Sequence, residues 1–361
     1  MFDFEFGEDL ELIAETAKSF ATDALLPKLR EHESARAVDA TVRASYAEMG
    51  LAGLELPESL GGADLGALAR VLVNEELAAG DAGAALALDP LGPALYPLLE
   101  IGGEDAVREF ALPLLETDAA RAIFVDAADA ELEVGTTISG SVPWVPSDRV
   151  DLLVLLRDDE AIVVRDGIEI QELRGSGMRA AGASELTLTG APIAARFEGR
   201  AEAARARARA RLYVASLLVG VLRQAADFSR EYAIEREAFG RPIAHHQGLT
   251  FLIVDMLAAV DGARVLLHEA AWRLECAAAG EPAAAMAFAE AIETSTFVGP
   301  NAVQILGGHG FMQDYPVEKY MREARALGLS IGGLDAARED AWTALADAGS
   351  HVQLSHLEVA P

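Results

Sequence analysis

The chain changes texture twice, and that order constrains its fold more than any single residue does. In residues 1–120 apolar side chains recur at three- and four-residue steps, as in Leu10, Ile13, Ala17, Phe20 and Ala24, which draws a stripe down one helix. Pro27 ends or bends it. A second helix is predicted over Val42 to Met49, stopping at Gly50, and helical patterns return over Leu65 to Ala79 and Glu104 to Leu115. In residues 121–200 short β-rich runs take over: Ala122 to Val125, Gly135 to Ser139, Val150 to Leu156, Ala161 to Arg165, Gly167 to Gln171 and Leu186 to Thr189. Gly, Pro, Asp and Ser punctuate them, which predicts a small antiparallel sheet or barrel. In residues 201–361 long helices are expected at Arg205 to Ile234, Gln247 to Ala279, Ala284 to Ile305 and Leu334 to Ala346. The expected architecture is α+β: an N-terminal helical domain, a shortened middle β domain and a C-terminal helical bundle. Strand and helix never alternate as a doubly wound sheet requires.

The 361 residues are 52% hydrophobic, enough for a large core. A net charge of −29 argues against nucleic acid and against an anionic membrane, since both need a basic face. The segment Met1 to Leu10 has no apolar signal region. The longest apolar stretch, Leu212 to Leu222, is bracketed by Arg211 and Arg223, too short for a bilayer, and reads as buried helix. The single cysteine, Cys276, excludes an internal disulfide and reads as a core residue. His245 and His246 are adjacent and point apart on a helix, so no metal site is expected. A cytoplasmic, soluble protein is the expectation.

Two long motifs stand in the last third. Arg236-Glu237-Ala238-Phe239-Gly240-Arg241-Pro242-Ile243 is followed by Gln247. Gln304-Ile305-Leu306-Gly307-Gly308-His309-Gly310-Phe311 precedes Tyr315-Pro316-Val317-Glu318-Lys319-Tyr320-Met321-Arg322-Glu323-Ala324-Arg325. Glycines let backbone N–H groups approach an anion closely. Gln304 offers an amide and Arg236 a permanent planar charge suited to a diphosphate. In order and spacing these motifs resemble the signatures of the acyl-CoA dehydrogenase family. Gly50-Leu51-Ala52-Gly53-Leu54, Leu56-Pro57-Glu58 with Gly61-Gly62, Asn74-Glu75-Glu76-Leu77-Ala78 and Gly177-Met178-Arg179-Ala180 extend the resemblance over nearly the whole chain. It implies FAD, an acyl-CoA substrate, a tetramer and an electron-transfer flavoprotein as acceptor. It also implies that Arg236, Phe239, Gln247, Gln304, Gly307 and Gly308 hold the adenosine diphosphate half of FAD bound mainly to a neighbouring subunit.

The catalytic side departs from the family pattern. Dehydrogenation needs a carboxylate within reach of the substrate's α-carbon. By resemblance that base lies at Ile331 or, in some members, at Ala210; neither residue can take a proton. No catalytic residue is therefore assigned. Asp335 and Glu339 are the nearby acids that a rearranged loop could bring in. Phe124-Val125-Asp126-Ala127-Ala128-Asp129-Ala130 replaces the family's T-E-P-x-A-G-S-D loop at the flavin ring. Trp144 survives as an aromatic platform, but Pro146 removes a hydroxyl and an N–H. The alternating arginines from Arg205 to Arg211 could meet CoA phosphates or form a solvated face, with Arg211 the favoured contact. His309 reads as a filler of the glycine turn.

An intact tail site beside a worn catalytic cleft resembles the base-less subunit of heteromeric bacterial acyl-CoA dehydrogenases that act on steroid side-chain thioesters. The expected partner is a homologous catalytic subunit in a heterotetramer of lipid or steroid catabolism. Two alternatives stay open: an active homotetramer with a displaced base, and a non-catalytic structural or regulatory homologue.

Overall fold

The computed structural model describes residues 6–276 and 280–347. The last residues of the stretch expected to reach Ala279 lie outside the described part, as does the end of the chain beyond 347.

The N-terminal helices are α1 (Glu8–Phe20), α2 (Leu29–Ala35), α3 (Ala40–Glu48), α4 (Ala67–Leu88), α5 (Leu95–Glu100), α6 (Gly103–Ala106) and α7 (Leu112–Leu115). Pro27 bends the chain rather than ending it: a π turn over Ala21–Leu25 and a 3-10 turn over Leu26–Lys28 carry α1 into α2. This follows because Pro occupies the first turn, where its missing N–H costs nothing. Helix α4 runs nine residues past the expected Ala79, and it does so across a break, for Asp81 has φ −164° and ψ 107°. Helix α5 was not foreseen. Pro93, in the 3-10 turn just before it, and Pro97, in its first turn, mask the helical pattern.

The β region holds β1 (Ala122–Asp126), β2 (Glu131–Val134), β3 (Thr137–Val145), β4 (Leu152–Leu156), β5 (Glu160–Val164), β6 (Ile168–Glu172), β7 (Ser184–Pro192) and β8 (Ala195–Glu198). They form two four-stranded sheets rather than one, in the orders β1-β4-β5-β8 and β2-β3-β7-β6. The expectation of wholly antiparallel pairing is corrected at one place: β1 runs parallel to β4, with Ala122 opposite Leu152. The chain reaches β4 from β1 only after crossing to the second sheet through β2 and β3, so the pair need not be a hairpin. Val125, Leu153, Leu155 and Ile162 of the first sheet pack on Ile138, Val142, Leu186 and Leu188 of the second. The opposite face, with Leu152, Val154 and Val163, packs on Leu95, Leu98 and Phe110. Burial on both faces explains why β4 and, after Glu160, the rest of β5 read as unbroken apolar runs.

The C-terminal helices are α8 (Arg200–Glu235), α9 (Gln247–Glu275), α10 (Gly280–Leu306), α11 (Val317–Leu327) and α12 (Gly333–Asp347). Leu212 to Leu222 is buried throughout, as its apolar run predicts. Helix α4 threads against α8 and α9 through a buried polar clasp. Glu75 accepts from His268 at 2.9 Å, and Arg223 donates to both oxygens of Glu76 at 2.7 Å. Cys276 is the exposed C-cap of α9, not a core residue; the helix ends there and its last position turns outward.

Candidate functional site

A cleft of about 70 Å³ lies where α4, β1, the end of β3, α8 and the loop after α11 converge. Its walls include Phe124, Trp144, Met178, Val214, Leu327 and Ile331. Ile331 is 2% exposed and has φ 54°. Ala210, one turn before Val214 on α8, is fully buried. Asp89 is the acidic residue in the lining. Its Oδ1 accepts the N–H groups of Leu91 and Gly92 at 3.1 and 3.0 Å, an Asx turn that ends α4. Its Oδ2 accepts the Tyr213 hydroxyl at 3.0 Å and faces Arg70 at 3.6 Å. With its lone pairs engaged inside the protein, Asp89 is ill placed to act as a base. Asp335 and Glu339 are exposed and form no part of the lining. The structure brings neither to the cleft.

The turn after β1 stands where a flavin-ring loop is expected. Asp126 caps it, accepting the Ala128 N–H at 3.0 Å, and its second oxygen accepts from Arg207 Nε at 2.7 Å. Asp129 accepts the N–H of Gly332 at 2.7 Å. Burial pushes the Asp129 carboxyl up to about 6, helped by the charge of Asp126 and opposed by the Gly332 and Ile331 N–H groups and by Arg211. The role of these two aspartates was missed in the sequence; only their three-residue spacing in an otherwise alanine-rich run hinted at it.

The alternating arginines do not form a solvated face. Arg205 and Arg209, one turn apart on α8, reach Glu100, and Arg209 also reaches Glu55 at 2.9 Å. Arg207 and Arg211, on the neighbouring stripe, reach Asp126 and Asp340, each at 2.7 Å. Arg211 is 3% exposed. Placed there, it ties α8 to α12 and is closed to a CoA phosphate. Alternation puts successive arginines on different helix stripes, so one run binds two parts of the protein to α8.

The six tail-site residues lie on the surface. Arg236, Phe239, Gln247, Gln304, Gly307 and Gly308 are all exposed, Phe239 at 96%. Phe239 and Gly240 form a hairpin turn with φ 55° and 80° between Glu237–Ala238 and Arg241–Pro242, the left-handed pair typical of a tight β turn. Tyr232, one turn before Arg236, bonds His309 Nδ1 at 2.8 Å, and His309 stacks on Tyr315 at 4.8 Å. The arginine motif and the glycine motif therefore meet through this aromatic cluster, and His309 is part of the scaffold.

These residues fit the diphosphate end of FAD. A Cβ added at Gly307 or Gly308 would meet nothing within 4 Å, so the chain's own packing leaves the space over this turn open to a ligand. The ring end fits poorly. Pro146 has no N–H to offer, and its carbonyl lies 3.4 Å from Arg121 Nη2. Pockets that hold ligands of this size occupy roughly 300–1,000 Å³, against the 70 Å³ found.

Comparison with known proteins matches the N-terminal domain model of acyl-CoA dehydrogenases over residues 7–118 and the C-terminal domain model over residues 197–340. The chain belongs to the acyl-CoA dehydrogenase family. Benzylmalonyl-CoA dehydrogenase of Aromatoleum aromaticum is 27% identical, over 90% of this chain and 94% of its own. The Tcur3481-Tcur3483 steroid ACAD superposes with a TM-score of 0.82 at 25% identity, covering 96% of this chain and 99% of its own. PigA with FAD and proline shares the fold, with a TM-score of 0.85 at 21% identity over 96% and 100%. FAD is the cofactor of this acyl-CoA dehydrogenase fold. No described helix is long and apolar enough to cross a membrane.

Proposed function

We propose that this chain is the base-less subunit of a heteromeric acyl-CoA dehydrogenase, with a homologous subunit supplying the catalytic carboxylate. The observation that carries the reading is the pairing of a buried Ile331 at the base position with an exposed, open Arg236–Gly308 surface. The reaction is α,β-dehydrogenation of an acyl-CoA thioester, in which FAD accepts the hydride when bound. Arg236 and Gln304 bind the diphosphate and ribose of the partner's FAD, and Phe239 shields its adenine side. Gln247, at the first turn of α9, adds an amide beside a helix N-terminus, which favours the same negative charge. The partner's own residues form the ring pocket and hold the α-proton acceptor.

The name of the steroid ACAD joins two designations, which agrees with a paired assembly but belongs to that protein. An electron-transfer flavoprotein is the expected acceptor. The test is purification of this chain alone and together with a homologue that carries the base. The expected result is acyl-CoA oxidation, followed with an artificial acceptor, only for the pair. Stoichiometric FAD and acyl-CoA oxidation by the isolated chain would end the proposal.

A further inference from the structure

The loop after α11 has an unusual backbone. Ile331, Gly332 and Gly333 follow one another with φ 54°, 73° and 63°. Left-handed backbone suits glycine and is a true outlier for a β-branched side chain, so neighbouring contacts must impose it on Ile331. Two sets of contacts do so. The Ile331 side chain is 2% exposed and forms part of the cleft lining beside Leu327. On the other side Asp129 accepts the Gly332 N–H at 2.7 Å. The β1 turn that carries Asp129 is itself anchored, because Asp126 accepts from Arg207 of α8 at 2.7 Å. Arg211, one turn on, is held by Asp340 of α12 at 2.7 Å. Both ends of the connection are thus bolted to α8, and the cleft between them is about 70 Å³.

We infer that the β1 turn and the Ile331–Gly333 loop form a latch that closes this chain's own cleft to a flavin ring, with Asp129 as the fastening and Ile331 as the plug. The inference rests on the assignment of the chain as the base-less subunit and deepens it. Loss of the base is accompanied by loss of the space in which the ring would lie, so the chain offers FAD only its tail surface. Asp129 acts here through the Gly332 backbone; it is a positioning residue and touches no reacting atom.

The probe is lumiflavin, the flavin ring without ribityl or nucleotide, titrated into the purified full chain with quenching of its fluorescence as the readout. The unaltered chain should show no saturable quenching. A chain carrying Asp129→Ala and Ile331→Gly should show saturable, one-to-one quenching. One-to-one lumiflavin binding by the unaltered chain overturns the latch. So does a double variant that keeps its circular dichroism and still takes up no ring. Hydrogen exchange on the single variant Asp129→Ala, which removes the acceptor of the Gly332 N–H, covers the case in which the double variant fails to fold. The Ile331 and Gly332 amides should exchange at least tenfold faster with the rest of the chain unchanged, and unchanged exchange there overturns the latch as well. The two readings separate: acyl-CoA oxidation by the isolated chain sinks the base-less assignment, whereas an inactive chain that binds lumiflavin sinks the latch alone.

Discussion

Lys319 Nζ lies 2.8 Å from Asp81 Oδ1, and neither side chain has any exposure to solvent. Asp81 is the residue that breaks α4, and the same oxygen accepts the Ala84 N–H at 3.1 Å, capping the second half of the helix. Glu323, one turn after Lys319 on α11, completes the triad. The lysine and glutamate of the Tyr315–Arg325 motif therefore fasten the C-terminal bundle to a kink in the N-terminal helices. Replacing Lys319 by Met should cost about 3–5 kcal/mol, because it leaves two carboxylates buried without a cation. Urea unfolding measures the loss. Adding Asp81→Asn to Lys319→Met should recover part of it, since the two residues share one network.

The same triad makes stability depend on pH. Burial pushes the Glu323 carboxyl up to about 7; Lys319 opposes this and the charge of Asp81 adds to it. Lys319 is shifted up as well, because both carboxylates favour its charged form over the cost of burial. A carboxyl raised on folding binds its proton more tightly in the native state. Its contribution to stability is therefore present below the ordinary glutamate range and is lost as pH climbs towards 7. Glu323→Gln should flatten the decline in stability between pH 5 and pH 7, read as urea midpoints across that range. An unchanged slope would assign the proton to another group.

The exposed tail surface allows binding to be separated from folding. Arg236→Ala removes a charged donor that makes no ion pair or side-chain hydrogen bond within the described residues. The melting temperature should hardly move, since surface substitutions without partners stay within about 0.5 kcal/mol. In the complex with the base-bearing homologue, FAD affinity should fall about 10- to 100-fold, the worth of one hydrogen bond to a charged group. Flavin released on gel filtration reports it. Gln304→Ala should lose less, its amide being neutral.

The fold was legible because its signals are local and repeated. The Leu212–Leu222 run states its buried place in a helix without knowledge of any partner. Ile331 is as plain: whatever surrounds it, its side chain carries no charge and takes no proton. What stayed hidden depends on pairings across the chain. The parallel pairing of β1 with β4 and the Asp129–Gly332 bond link segments far apart in sequence. Arg211 shows the same limit: its residue type fits a phosphate, but Asp340 already holds it. Cys276 was misread because periodicity gives a helix's buried stripe but not where the helix ends.

On the proposed reading, an acid placed at Ile331 should not make the isolated chain active. Ile331→Glu would place a carboxylate at a position that is 2% exposed, in a cleft of about 70 Å³ where Asp89, the acid that lines it among the described residues, is already bonded. Arg121, which also lines the cleft, donates to the Leu86 and Asp89 carbonyls rather than towards Ile331. Without a partner cation the new carboxyl keeps its proton, as a buried acid does. Its pKa should rise above that of an exposed glutamate, so the variant should lose more stability at pH 8 than at pH 5. The loss at pH 8 should be about 2–4 kcal/mol, counting the forfeited apolar burial and the buried polar group together. The isolated variant should oxidise no acyl-CoA at either pH, because a base without room for ring and substrate has nothing to deprotonate. Turnover by the isolated Ile331→Glu chain, measured with an artificial electron acceptor, would show that the cleft opens and that only the carboxylate was missing.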